Sequence, residues 1–140
     1  MPYAAFLLLV GHALVHLLYV VPQPPRAEGA AEWPFAIEKS WLVTKLGVGV
    51  QVMQPVAVLL LTITVAALVG AGLAIIDLLV PSAWWPALVV TGAAASLLLL
   101  SLFFHPWLVI GVAIDVVLLY LVLVNGWDPF AAGAALRSMA

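Results

Sequence analysis

Long apolar runs separated by short polar breaks set the pattern of this chain. Tyr3 to Val21 carries no Asp, Glu, Lys or Arg. Pro22, Pro24 and Pro25 close that run, because proline lacks the amide donor that a helix needs. The only long polar stretch follows, Gln23 to Ser40, with Arg26, Glu28, Glu32, Glu38 and Lys39. Trp33-Pro34-Phe35 and Trp41 suit a lipid–water boundary, where tryptophan is enriched. Beyond Lys45 nothing charged occurs until Asp77. A helix over 53–80 is ~42 Å long at 1.5 Å per residue, against a hydrocarbon core of about 30 Å, so it must tilt or project. Two short spans broken near Thr62-Ile63-Thr64 are rejected, since that break has no Pro, Gly, Asn or Asp. Residues 37–50 are expected to form a short interfacial helix with Glu38 and Lys45 on its wetter face. Pro81-Ser82-Ala83 and His105-Pro106-Trp107 mark turns, and Asn125-Gly126 ends the last apolar run. The pattern predicts an all-α integral membrane four-helix bundle with a polar first loop. Its spans fall at about 3–21, 53–80, 84–103 and 107–124, with loop and interfacial helix over 22–52. Residues 1–127 make one transmembrane domain, and 128–140 a short tail, disordered or frayed.

Composition sharpens this. The chain is 67% hydrophobic and 7% charged, where a soluble domain has about a quarter of its residues charged. So few charges cannot cover a globular surface, which leaves lipid as the main solvent. A net charge of −2 speaks against nucleic acid as a partner. The lack of cysteine excludes disulfides, thiolate metal sites and cysteine nucleophiles. The first run has no basic leader and no A-x-A-like site before Pro22, so it is expected to be a retained helix. Four spans put Trp33, Trp41 and Trp107 at one membrane face and Trp84, Trp85 and Trp127 at the other. Arg26, Lys39 and Lys45 in the first loop, against Arg137 in the tail, place that loop in the cytoplasm.

Chemistry centres on Gly11-His12-Ala13-Leu14-Val15-His16. Two histidines four apart share one helix face, and ionisable groups inside a span raise a functional hypothesis. Asp115 falls ~12 Å below the first-loop face, His16 ~9 Å and His12 ~15 Å, at 1.5 Å per residue. If the first and last helices are neighbours, Asp115 can bond either imidazole, with His16 the expected partner and His12 the alternative. The pair either fixes helix packing or serves a ligand, a metal or a proton relay. Gln51, Gln54, His105 and Ser101 gather near the first-loop end. The glutamines suit hydrated interfacial positions, and His105 before Pro106 suits a turn or cap. Asp77 is expected to reach water. Two histidines on one face cannot clamp one haem iron from both sides, and two ligands do not specify a metal. Gly70-Ala71-Gly72, Gly92 to Ser96 and Gly111-Val112-Ala113 provide small steps that let helices approach closely.

Gly11-His12-Ala13-Leu14-Val15-His16-Leu17, Trp33-Pro34-Phe35 with Ser40-Trp41-Leu42, Val80-Pro81 with Trp84-Trp85, and Leu102-Phe103-Phe104-His105-Pro106-Trp107 through Ile114-Asp115 together resemble small, loosely DoxX-like bacterial four-helix membrane proteins. The resemblance implies four helices in a bacterial inner (cytoplasmic) membrane and carries over no catalytic residue. The leading functional expectation is a non-enzymatic subunit or scaffold of a larger membrane complex, since four short helices offer few catalytic groups. Its partners are then the bilayer and other membrane subunits or further copies of the chain. The alternative is an intramembrane binding or proton-handling protein for a hydrophobic ligand, a quinone or a lipid, using His12, His16 and Asp115. A membrane enzyme ranks third.

Overall fold

A computed structural model describes residues 2–130 apart from 24, 26–28 and 30–31. Arg26 and Arg137, two of the four basic residues on which the orientation argument rests, lie outside the described residues, as do Glu28 and the tail from 131. Those described are helical, with no strand among them. The α-helices are α1 (Pro2–His16), α2 (Trp41–Thr44), α3 (Val50–Ile75), α4 (Trp85–Leu102) and α5 (Val109–Leu123). Single 3₁₀ turns extend α1 through Leu17–Tyr19 and lead into α4 and α5 at Ser82–Trp84 and Pro106–Leu108. Three segments, Val50–Ile75, Ser82–Leu102 and Pro106–Leu123, are long and apolar enough to cross a membrane. Tyr3–Tyr19 is a shorter apolar helix.

Local chemistry sets the ends. Pro86 stands in the first turn of α4, where its missing amide costs nothing. The α3 helix is unbroken through Thr62-Ile63-Thr64 but stops at Ile75, short of the expected Val80. Asp77 and Leu79 take φ of 56° and 63°, and the Leu78 amide reaches back to the Leu73 carbonyl at 3.0 Å. Asp tolerates this left-handed turn better than most residues, so no glycine was needed to end the helix. At the far end of the chain Gly126, at φ 59°, turns the backbone out of α5.

The interfacial helix expected over 37–50 does not form. A 3₁₀ turn at Ile37–Lys39 and the four-residue α2 replace it. Ser40 interrupts the helix: its hydroxyl accepts from the Leu42 amide and donates to the Leu102 carbonyl at 2.6 Å. Gly47, at φ 67°, then breaks the chain again before α3. Trp41 donates its indole N–H to the Ser101 carbonyl at 2.9 Å. The first loop is thus fastened over the C-terminal carbonyls of α4, which the helix itself leaves unpaired. Glu38 takes a hydrogen bond from Gln23, and Lys39 donates to Glu32. Both contacts are exposed and contribute little to stability.

Packing runs in the order α1–α3–α4–α5. Close approach follows small residues. A Cβ on Gly92 would stand 2.7 Å from Leu68 Cγ, and one on Gly72 2.9 Å from Val10 Cγ2. Two apolar cores result. Leu9, Ala13, Leu68, Ile75, Trp85 and Val89 belong to one, whose Trp85 stacks edge-on with Trp127. Tyr19, Met53, Leu61, Leu99, Phe103 and Leu108 belong to the other, capped by Phe35 of the first loop. Between them α1, α3, α4 and α5 each pass through buried polar positions: His12 and His16, Thr64, Ser96, and Asp115.

A buried histidine–aspartate–serine cluster beside an open cleft

Asp115 is fully buried, and its carboxylate is held from two sides. Nε2 of His12 lies 2.9 Å from Oδ1. The Ser96 hydroxyl is hydrogen-bonded to Oδ2. Ser96 Oγ is also 2.8 Å from Nε2 of His16. Nδ1 of His16 donates to the backbone carbonyl of His12, one turn earlier, at 2.9 Å. Three helices therefore meet in one continuous set of hydrogen bonds, and α1 is tied to α5 through side chains although their backbones are not closely packed.

This reverses the expected pairing. His12, not His16, bonds Asp115 directly, and His16 reaches it through Ser96. Depth along the helix axis did not decide the matter. The Nδ1 bond draws the His16 ring back along its own helix, and the rings stand edge to face with centroids 4.9 Å apart. Ser96 was missed as a member of the site. In sequence it stands as the small end of a Gly92–Ser96 step, and the one signal there is a hydroxyl one turn after Gly92 in an otherwise apolar run.

The remaining candidates lie elsewhere. Gln51 and Gln54 are exposed in the first turns of α3. Gln54 borders a polar hollow with Tyr19, Gln23, Trp33 and Glu38, outside the cluster. His105 is a cap: its Nδ1 accepts from the Trp107 amide at 3.3 Å. Thr64 is buried, but no described group bonds its hydroxyl.

Beside the cluster, α1 and α5 separate into a cleft open to the outside. One lobe, about 370 Å³, is walled by Leu7, Val15, Leu100, Ile110, Gly111 and His12. The adjoining lobe, about 350 Å³, is bounded by Leu9, Ala113, Val117, Leu118 and Leu121. Leu8, Ile110 and Ile114 border both. Phe35 and Trp107 border the first lobe at the first-loop end. Gly111 keeps the wall open, since a Cβ there would stand 3.0 Å from Leu100 Cδ1 and 3.7 Å from His12 Cε1.

The ligating atoms of His12, His16 and Asp115 lie within 4.8 Å of one another, near enough to converge on a cation. A cation on Nε2 of His16 takes that nitrogen from Ser96 and opens the set of bonds just described. What the arrangement offers as it stands is a hydrogen-bonded polar group set in the wall of an apolar cleft. No protein-family model matches the chain, and neither the curated proteins nor the solved structures give a match.

Proposed function

We propose that the chain is a four-span membrane protein that binds a small hydrophobic ligand, a quinone or a lipid, in the α1–α5 cleft. The observation that carries this reading is the position of the His12–Asp115–Ser96–His16 cluster in the wall of that cleft. The apolar walls take up the body of the ligand, and the cluster provides a polar contact that orients it. Supporting four spans, α1 with its 3₁₀ extension packs along α3 and ends where the first loop begins. Trp41 and Trp107 lie at that end, Trp85 and Trp127 at the other. The proposed residence is a cytoplasmic membrane.

Native mass spectrometry of protein released from membranes in mild detergent tests the binding reading. The expected spectrum carries a small apolar adduct, and Gly111→Leu, which fills the cleft beside His12, removes it. A bare chain in both preparations overturns the proposal. Topology is tested on the natural cysteine-free background. Lys45→Cys and Phe104→Cys are expected to label from one face, Ser82→Cys and Asp128→Cys from the other. Labelling of all four from a single face sinks the four-span arrangement.

A second reading, a subunit or scaffold of a larger complex, is favoured by one feature of α5. Only 17% of the Pro106–Leu123 window is buried, against 44% for each of the other two long apolar segments. An outer helix this bare has room for a partner's helix as well as for lipid. Co-migration with larger subunits in the same spectrum supports that reading.

A further inference from the structure

The cluster can be counted proton by proton. A carbonyl has no proton to give, so Nδ1 of His16 carries one in its bond to His12. The His12–Asp115, Asp115–Ser96 and Ser96–His16 contacts need one proton each. With Asp115 ionised and the other groups neutral, the set is one proton short and carries a charge of about −1. One more proton completes every bond and cancels the charge. In an apolar interior a net charge is the costly state and a fully bonded neutral set the favoured one.

That proton has two resting places. On Asp115, Oδ2–H donates to Ser96, and the Ser96 hydroxyl donates to Nε2 of His16. On His16, Nε2–H donates to Ser96, which in turn donates to the carboxylate. Passage between the two through Ser96 changes neither the proton count nor the net charge. In both, His12 donates from Nε2 to Oδ1. In neither is a proton left for Nδ1 of His12.

Nδ1 of His12 has no hydrogen-bond partner among the described residues, although His12 is only 7% exposed. Its ring borders the cleft opposite Gly111. The cleft is thus bordered by a histidine whose remaining nitrogen is a lone-pair acceptor. A fifth proton at Nδ1 would turn it into a donor, but only by leaving the buried set cationic.

Resting on the ligand-binding reading above, we infer that the cleft selects an apolar molecule with an O–H donor at its head, such as a phenol, a quinol or a long-chain alcohol. A carbonyl or ether head presents a lone pair to a lone pair and leaves Nδ1 unpaired, which narrows the quinone of that reading to its reduced quinol form. The test uses the full chain in nanodiscs with two matched probes, 4-nonylphenol and its O-methyl ether, titrated by calorimetry. The phenol is expected to bind about tenfold or more tightly than the ether, the worth of one buried hydrogen bond. Nitrogen NMR on histidine-labelled protein is expected to show a bare Nδ1 in His12 that shifts when the phenol binds and stays put with the ether. Because His12→Phe removes a partner of Asp115 and endangers the fold, the NMR readout on the unmodified chain carries the assignment. Equal binding of phenol and ether, or an Nδ1 already protonated without ligand, overturns the inference and leaves the cleft as a site for apolar molecules. Binding of neither overturns the ligand-binding reading itself.

Discussion

Asp115→Leu is expected to lower the thermal stability of the purified protein sharply, while Asp115→Asn leaves it close to that of the parent. Leucine takes the partner from His12 Nε2 and one of two partners from Ser96. A buried polar group left unpaired costs about 1–3 kcal/mol. The side chains that join α1 to α5 then no longer meet. Asparagine reproduces the protonated acid: its oxygen accepts from His12, and its amide N–H donates to Ser96. It cannot pass on that proton. Circular dichroism melts of the three proteins in one detergent decide the stability part, and equal melting of parent and Asp115→Leu would show that the cluster does not hold the helices together. Native mass spectra of the same samples separate a structural pair from a functional one. Asp115→Asn is expected to keep the adduct, because Nε2–H of His12 still donates to the asparagine oxygen and Nδ1 stays bare; loss of the adduct from a folded Asp115→Asn would mean that the acid's proton itself serves the ligand.

The second large effect is expected at Gly92. Its missing side chain leaves room for Leu68, whose backbone nitrogen would lie 3.1 Å from an added Cβ. Gly92→Leu must therefore push α4 away from α3, the helix against which it packs. Overpacking of this kind costs about 1–3 kcal/mol or more. The same substitution moves Ser96, one turn along, off its two partners. Gly11→Ala is the control: nothing stands within 4 Å of the added Cβ, so stability should be unchanged or slightly higher. Equal melting of Gly92→Leu and the parent would mean that α3 and α4 do not meet closely at this point.

What sequence made legible was what local chemistry determines. Charge-free runs and their proline breaks led to the apolar helices, and the four-residue spacing put His12 and His16 on one face. The absence of turn residues around Thr62-Ile63-Thr64 led to one helix there, as found. What stayed hidden depends on contacts between distant segments. In the 37–50 stretch Gly47 and Gly49 speak locally against a helix, but the earlier break was hidden: Ser40 finds the Leu102 carbonyl, 62 positions away, and the chain bends to reach it. Ser96 is one small residue among several in Gly92-Ala93-Ala94-Ala95-Ser96 until Asp115 and His16 are seen on either side of it. The order of the histidines turned on a ring rotation, which depth along an axis cannot express. The cleft was equally invisible, since it arises from two helices that fail to pack.

The bond between His12 and Asp115 joins residues 103 positions apart, α1 to α5. Synthesis makes α1 before α5, so both histidines are in place long before their acid exists. Until α5 arrives, the helices already made hold His12 without the one side chain bonded to it among the described residues, and Ser96 with one of its two. A chain cut short after Leu102 keeps that defect for good. The arrival of α5 is thereby recorded deep in the interior, as a change from an unmatched set of polar groups to a closed one.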